Sequence, residues 1–328
     1  MKKYRTQILN KKSEKGVHAL KRLIVITISV FILIGFIGAI VFYEKQTPVN
    51  PPDQIVNGGM NQTESELEEL QPIYVEQPIG YSLQHDKLNI TYDNGKTWIT
   101  VPVDKNHLFE GEYQGNEQQL IDQSFILNED RAAFLYTEGP DWDQKQIHLL
   151  YSLDQGQTWH DSVVTESFST LRFRKVDFLN ENFGYIIVSG WRTMSQEYST
   201  VFITRDGGKT WIETTNSGVS RLIYDGGFVD EMTGFLSYGV INPENPELYV
   251  TKDGGNSWSE ATFHMPEKFR GIFVTAEVPF NEGDDLAVFV NQGPSGDYQG
   301  GKVKGKFISQ DNGITWEFAQ EVTPFENE

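Results

Sequence analysis

The chain contains no cysteine. That excludes a disulfide framework, a thiolate nucleophile, a cysteine-ligated metal or iron site and a lipid-modified cysteine anchor. Its six histidines (His18, His85, His107, His148, His160 and His264) fall in no H-x-x-x-H or H-E-x-x-H spacing, so no metal centre is expected. Three further motifs are missing: the D-x-D-x-D-G calcium loop, the G-x-S-x-G nucleophile elbow and the G-x-x-x-x-G-K-[ST] phosphate cradle. No cofactor is expected either. Arginine is absent between Arg22 and Arg131. Beyond residue 72 no apolar run has helical periodicity of useful length.

Acid and aromatic residues are plentiful. Residues 1–43 hold eight of the 27 basic residues and one of the 46 acids, which leaves 19 against 45 in residues 44–328. A surface so acidic repels nucleic acid, and no such partner is expected. The basic residues cluster in 1–22, just before the uncharged stretch LIVITISVFILIGFIGAIVFY at 23–43. At roughly 1.5 Å per residue, 21 residues span a hydrocarbon core of about 30 Å. The stretch exceeds a signal-peptide core and no small-x-small cleavage site follows it, so it reads as an uncleaved single-pass anchor. The basic tail places the N-terminus in the cytoplasm and residues 44–328 outside the cell. Residues 44–72, with four prolines and a run of acids, read as a solvated linker.

From residue 73 the text repeats. TYDNGKTW, SLDQGQTW, TRDGGKTW, TKDGGNSW and SQDNGITW place aspartates at Asp93, Asp154, Asp206, Asp253 and Asp311, spaced 61, 52, 47 and 58 apart. Periods of this size point to propellers or solenoids. Each copy carries a glycine two residues on (Gly95, Gly156, Gly208, Gly255, Gly313) and a tryptophan five residues on (Trp98, Trp159, Trp211, Trp258, Trp316). The aspartate suits an Asx-type turn, accepting from amides about two residues on, and the glycine suits a positive φ. Five of the seven tryptophans sit at this one place, which assigns them to packing the repeat. Within each unit four short apolar runs alternate with turn residues, as in RKVDFLN, FGYIIVSGW, STVFITRD and KTWIETT. Four antiparallel strands per unit make a propeller blade. Five blades are expected. A sixth would need strands that are not apparent, although the gap between the first two copies leaves some room.

These motifs, S/T-x-D-x-G-x-T/S-W, resemble the Asp-box (BNR) repeats of sialidase-like β-propellers. The resemblance implies that each box lies between the third and fourth strands of its blade, on the face away from any active site, with a structural role. FLNENFGYIIVSG and FVDEMTGFLSYG are also similar to a phrase of bacterial propellers related to the photosystem II assembly factors, which are non-catalytic. A sialidase would need an F/Y-R-I-P segment and three arginines gripping the substrate carboxylate. No R-I-P occurs.

Candidate binding residues lie elsewhere. Arg174, Arg221 and Arg270 fall at or just before the first strands of units three to five, which the resemblance places along the central channel. They either converge as an anion grip or are each paired with an acid. Trp142, Trp191, Tyr198 and Tyr298 lie on loops joining second to third strands and are either partner anchors or packing for their own loops. The expected function is a non-catalytic binding or assembly module for a protein or glycan. The alternative is a glycoside hydrolase with a non-standard site.

Overall fold

The computed structural model describes residues 69–323 apart from 113–114, 142–143, 194–195 and 294–295. All belong to the second of two compact units, Glu68–Glu328. The expected membrane span and cytoplasmic tail lie outside the described residues. Among those described, no helix is long and apolar enough to cross a membrane.

The described chain is all-β. Strands β1 (Ile73–Glu76), β2 (Ile79–Ser82), β3 (Asn89–Thr91) and β4 (Ile99–Thr100) form the first sheet. The second contains β5 (Phe125–Leu127), β6 (Ala132–Asp141), β7 (Gln144–Ser152) and β8 (His160–Phe168). The third contains β9 (Leu171–Phe178), β10 (Gly184–Thr193), β11 (Gln196–Thr204) and β12 (Ile212–Glu213). The fourth contains β13 (Ile223–Phe228), β14 (Gly234–Tyr238), β15 (Glu247–Thr251) and β16 (Ser259–Glu260). In each of these sheets strands pair in chain order and antiparallel, as expected of propeller blades. A short helix, α1 (Lys105–Phe109), capped by the Asp104 side chain, lies in the connection from the first sheet to the second.

The fifth sheet departs from this plan. Its four expected strands are β18 (Phe273–Ala276), β20 (Asp285–Gln292), β21 (Lys304–Ser309) and β22 (Thr315–Val322), and β19 (Phe280–Glu282) adds a hairpin to β20. The segment leaving the fourth sheet, β17 (Thr262–His264), pairs in parallel with β22. It lays Phe263 flat over Trp316, with ring centroids 5.9 Å apart.

Alternation along the central strands explains how the sheets stack. In β10, Ile186 and Val188 pack with the second sheet's Leu135, Leu149 and Ala133. Their neighbours Tyr185 and Ile187 pack with the fourth sheet's Leu236 and Phe228. A strand buried on both faces reads as a continuous apolar run, which GYIIVSG is. Four such clusters join the first sheet to the second, the second to the third, the third to the fourth and the fourth to the fifth.

Every box lies between the third and fourth strands of its sheet, as the repeat implied. The third box shows its chemistry. Asp206 Oδ1 accepts from the Thr204 hydroxyl at 2.8 Å and the Thr210 amide at 2.9 Å, and Oδ2 accepts from the Thr210 hydroxyl at 2.6 Å. Thr204 Oγ1 in turn accepts from the Gly208 amide at 3.0 Å. The amide nearest the carboxylate in the chain direction is thus three to four residues on, not two. The reason is that two successive residues, Gly207 (φ 78°) and Gly208 (φ 98°), turn through the left-handed region and fold the chain back over the carboxylate.

Candidate functional site

In antiparallel sheets wound in chain order, the hairpins between first and second strands share one end with the third-to-fourth hairpins that carry the boxes. The second-to-third hairpins and the connections between sheets share the other end, the loop face. Among the described residues, three of the cavities open there. One of about 350 Å³ is lined by Glu110 and Gly111 after α1, Thr137 and Lys145 of the β6–β7 hairpin, and Ser169, Thr170 and Leu171 at the entry to β9. A second, of about 620 Å³, is bounded by Arg221, Glu247, Glu260 and the β14–β15 loop. A third, of about 450 Å³, adjoins it through Asn242, Pro243 and Glu244 and reaches Tyr298. The fourth, about 850 Å³, opens on the box face around Arg131, Asp154 and Asp206.

Arg174 is buried behind the first cavity. Its guanidinium donates to the carbonyls of Leu108, at 3.2 Å, and Glu110. Burial pulls its pKa down to about 10, against the stabilising pull of the Glu110 carboxylate. Arg174 therefore anchors the α1 connection and sets the position of Glu110, whose Oε2 accepts from Thr137 Oγ1 at 2.9 Å and Lys145 Nζ at 3.0 Å.

Arg221 faces the second cavity and pairs with Glu247 at 2.5 Å. Arg270 is exposed and pairs with Glu267 at 2.9 Å, one helical turn away. None of the four cavities is lined by more than one of the three arginines. Nearby, Arg172 grips the fully buried Glu197 through two 2.5 Å bonds, and Glu197 also accepts from the Ile223 amide, which ties the third sheet to the fourth.

The loop aromatics divide. Trp142 lies outside the described residues. Trp191 is 65 % exposed and Tyr198 55 % exposed. They sit on facing strands of one hairpin, where Tyr198 pairs with Gly190 and Trp191 is the next residue. Trp191 has φ 58°, and its amide donates to Ser169 Oγ at 2.8 Å, in the wall of the 350 Å³ cavity. A tryptophan in the left-handed region costs energy that a packing role would not require. Tyr298 is half-buried against Phe269 and Phe273, with its hydroxyl donating to Glu321 at 2.8 Å.

Two groupings that the sequence did not single out bear on catalysis. Between the fourth and fifth sheets, Tyr224 Oη accepts from Asn291 at 3.4 Å, and Asn291 also donates to Glu277 at 2.8 Å. A tyrosine beside a carboxylate invites a nucleophilic reading. However, burial and then Glu277 and Asp225 raise the Tyr224 pKa, opposite to what a phenolate requires. In the second cavity, burial raises the Glu247 pKa; Arg221 opposes this and Glu260 adds to it. Glu247 Oε2 is buried without a hydrogen-bond partner. Among the described residues no group of three or more His, Asp or Glu side chains is placed to hold a metal ion.

The BNR/Asp-box repeat family model matches residues 150–161 and 307–318, the second and fifth boxes. No curated protein matches the chain. Among solved structures, a Trypanosoma rangeli sialidase mutant displaying trans-sialidase activity aligns at 14 % identity and TM-score 0.36, covering 65 % of this chain and 40 % of its own. RS223 β-xylosidase aligns at 12 % identity and TM-score 0.37 over 62 % of this chain and 78 % of its own. The xylose complex of a Xanthomonas citri GH43_1 enzyme aligns at 10 % identity and TM-score 0.37 over 66 % and 74 %. The chain thus spans less than half the length of the sialidase. It carries BNR/Asp-box repeats on an all-β framework of four four-stranded sheets and one six-stranded sheet, consistent with a propeller.

Proposed function

We propose that this chain is a membrane-anchored, extracytoplasmic propeller of five blades that captures a protein or glycan partner on its loop face without catalysing a reaction. The observation that carries this reading is the Trp191–Tyr198 pair, two large aromatics more than half exposed on one hairpin, opposite the boxes. Exposed tryptophan and tyrosine give binding surfaces much contact area at little entropic cost. The anchor at 23–43 keeps this surface at the membrane, and the acidic linker lets it reorient.

The second reading, a glycoside hydrolase, is favoured by one observation. Glu247, raised by burial, stands near Glu260 in a cavity of about 620 Å³, and carboxyls in unequal environments are what an acid–base pair requires. One set of proteins separates the readings. Full-length Trp191→Ala/Tyr198→Ala should retain about tenfold less partner in pull-downs than wild type, with its melting temperature unchanged. Equal recovery would remove the aromatic pair from the site. Turnover of aryl glycosides, sialosides included, that vanishes in Glu247→Gln would replace the binding reading with the hydrolytic one.

A further inference from the structure

We infer that the 350 Å³ cavity beside Trp191 is a subsite for an uncharged sugar of a glycan whose next ring stacks on the indole. This rests on the binding reading above and narrows its ligand from protein or glycan to neutral glycan. The cavity is small, near the lower end of the roughly 300–1,000 Å³ range of small-molecule sites, so it accommodates a sugar unit and not a folded protein surface.

Its wall offers polar groups of both kinds. Glu110 brings a carboxylate, Lys145 an ammonium, and Thr137, Ser169 and Thr170 are hydroxyl residues. Ser169 Oγ accepts the Trp191 amide, and its own proton has no acceptor fixed by that bond. A polyol, which donates and accepts at every carbon, matches such a mixed set.

The charges argue for a neutral ligand. Glu110 and Lys145 neutralise each other at 3.0 Å, and Lys145 also donates to the Gly139 carbonyl at 2.6 Å. Arg174 is 3 % exposed and donates to two backbone carbonyls behind Gly111. On the rim, Arg192 pairs with Glu112 at 3.1 Å. The cationic side chains around the cavity are therefore each engaged, and a carboxylate or phosphate would have to displace an existing partner. The acidic surface of residues 44–328 opposes an anion further.

The geometry of Trp191 fits a stacking platform. Its left-handed backbone and its amide bond to Ser169 hold the residue at the cavity rim, with the ring in solvent. Gly190 lets the strand approach the Ser169–Thr170 wall, since a Cβ there would lie 2.6 Å from the Thr170 carbonyl.

The test uses the full chain and immobilised oligosaccharides: neutral hexose and N-acetylhexosamine polymers, with sialylated and uronate-containing ones as the anionic arm. Wild type should bind neutral chains. Trp191→Ala should lower affinity about tenfold or more, and Thr170→Trp, which fills the cavity, by a similar factor. Thr170→Val, which keeps the size and removes the hydroxyl, provides a variant with little risk of misfolding and should show a smaller loss. If Trp191→Ala abolishes capture while both Thr170 variants bind like wild type, the cavity is not the subsite and the aromatic binding surface stands. Preference for the anionic arm overturns the neutral assignment. Wild type binding no glycan, while Trp191→Ala/Tyr198→Ala impairs capture of a purified protein partner, makes the ligand a protein and ends the proposal. Loss of neither activity in these variants removes both readings.

Discussion

At the scale of single residues, the box carboxylates act through hydrogen bonds alone. The Asp206 carboxyl is held down to about 2, first by the Thr210 hydroxyl, with partial burial opposing and the Thr210 amide and Thr204 hydroxyl assisting. Asp154 is held down to about 2 by the hydroxyl and then the amide of Thr158. An aspartate in the unfolded chain titrates near ~4, so between that value and 2 the unfolded chain binds more protons than the folded one. The stabilisation is complete above about pH 4 and is lost as the pH falls toward 2. Asp206→Ala, which removes the carboxylate's bonds to Thr204 and Thr210 at a solvent-screened site, should cost about 1 kcal/mol at neutral pH, measured by urea unfolding, and the difference from wild type should shrink between pH 4 and 2. A difference that stays constant over that range would mean that the charge of Asp206 plays no part. Arg131 illustrates a second kind of residue. Its guanidinium, 3.6 Å from the Phe178 ring centroid, donates to the carbonyls of Gly207 and Glu181 and so ties the second sheet to the box of the third. Its isolated position in the sequence, the first arginine after residue 22, gave no hint of that.

At the scale of elements, the box hairpin is a docking device. Trp159, Trp211, Trp258 and Trp316 each join the core shared with the preceding sheet, whereas Trp98 joins none of the described clusters. Trp316 alone is completely buried, because β17 covers it. Tryptophan-to-alanine substitutions should rank accordingly. Trp316→Ala should cost about 3–5 kcal/mol and Trp98→Ala the least of the five, read as shifts in melting temperature. Equal losses at all five would refute the view that each box packs backward onto its predecessor. This ordering also shows what the sequence revealed and what it hid. Strand positions were legible because every unit repeats one pattern, with apolar alternation set by the pleat and turn residues fixed by φ. β17 and β19 were not, since three-residue strands gain their pairing only from a neighbour already in place. Of the binding candidates, Trp191 and Tyr198 stood out by residue type and loop position. Glu110, Thr137, Lys145 and Ser169 carried no local signal, because they come from the α1 connection, the β6–β7 hairpin and the entry to β9, which meet only once the sheets stack. Arg174 looked like a channel residue, but the 101–124 connection folds back so that carbonyls of α1 and the residue after it meet its guanidinium.

At the scale of the whole described unit, five sheets share four apolar interfaces. The second, third and fourth sheets contribute to two clusters each, whereas the first and fifth contribute to one. The remaining face of the fifth sheet carries ion pairs, Lys306 with Glu282 at 2.5 Å and Lys304 with Glu277. Pairs such as these contribute little to stability. Local opening is cheapest where the fewest apolar contacts must be broken. Native-state hydrogen exchange should therefore find the slowest amides in β7, β10, β11 and β14, which are enclosed by sheets on both sides. Amides of β2, β3, β20 and β21 should exchange faster, through openings that leave the middle sheets intact. Uniform protection across all five sheets would instead mean that the first and fifth are held by a further interface as strong as the other four, and that the unit opens only as a whole.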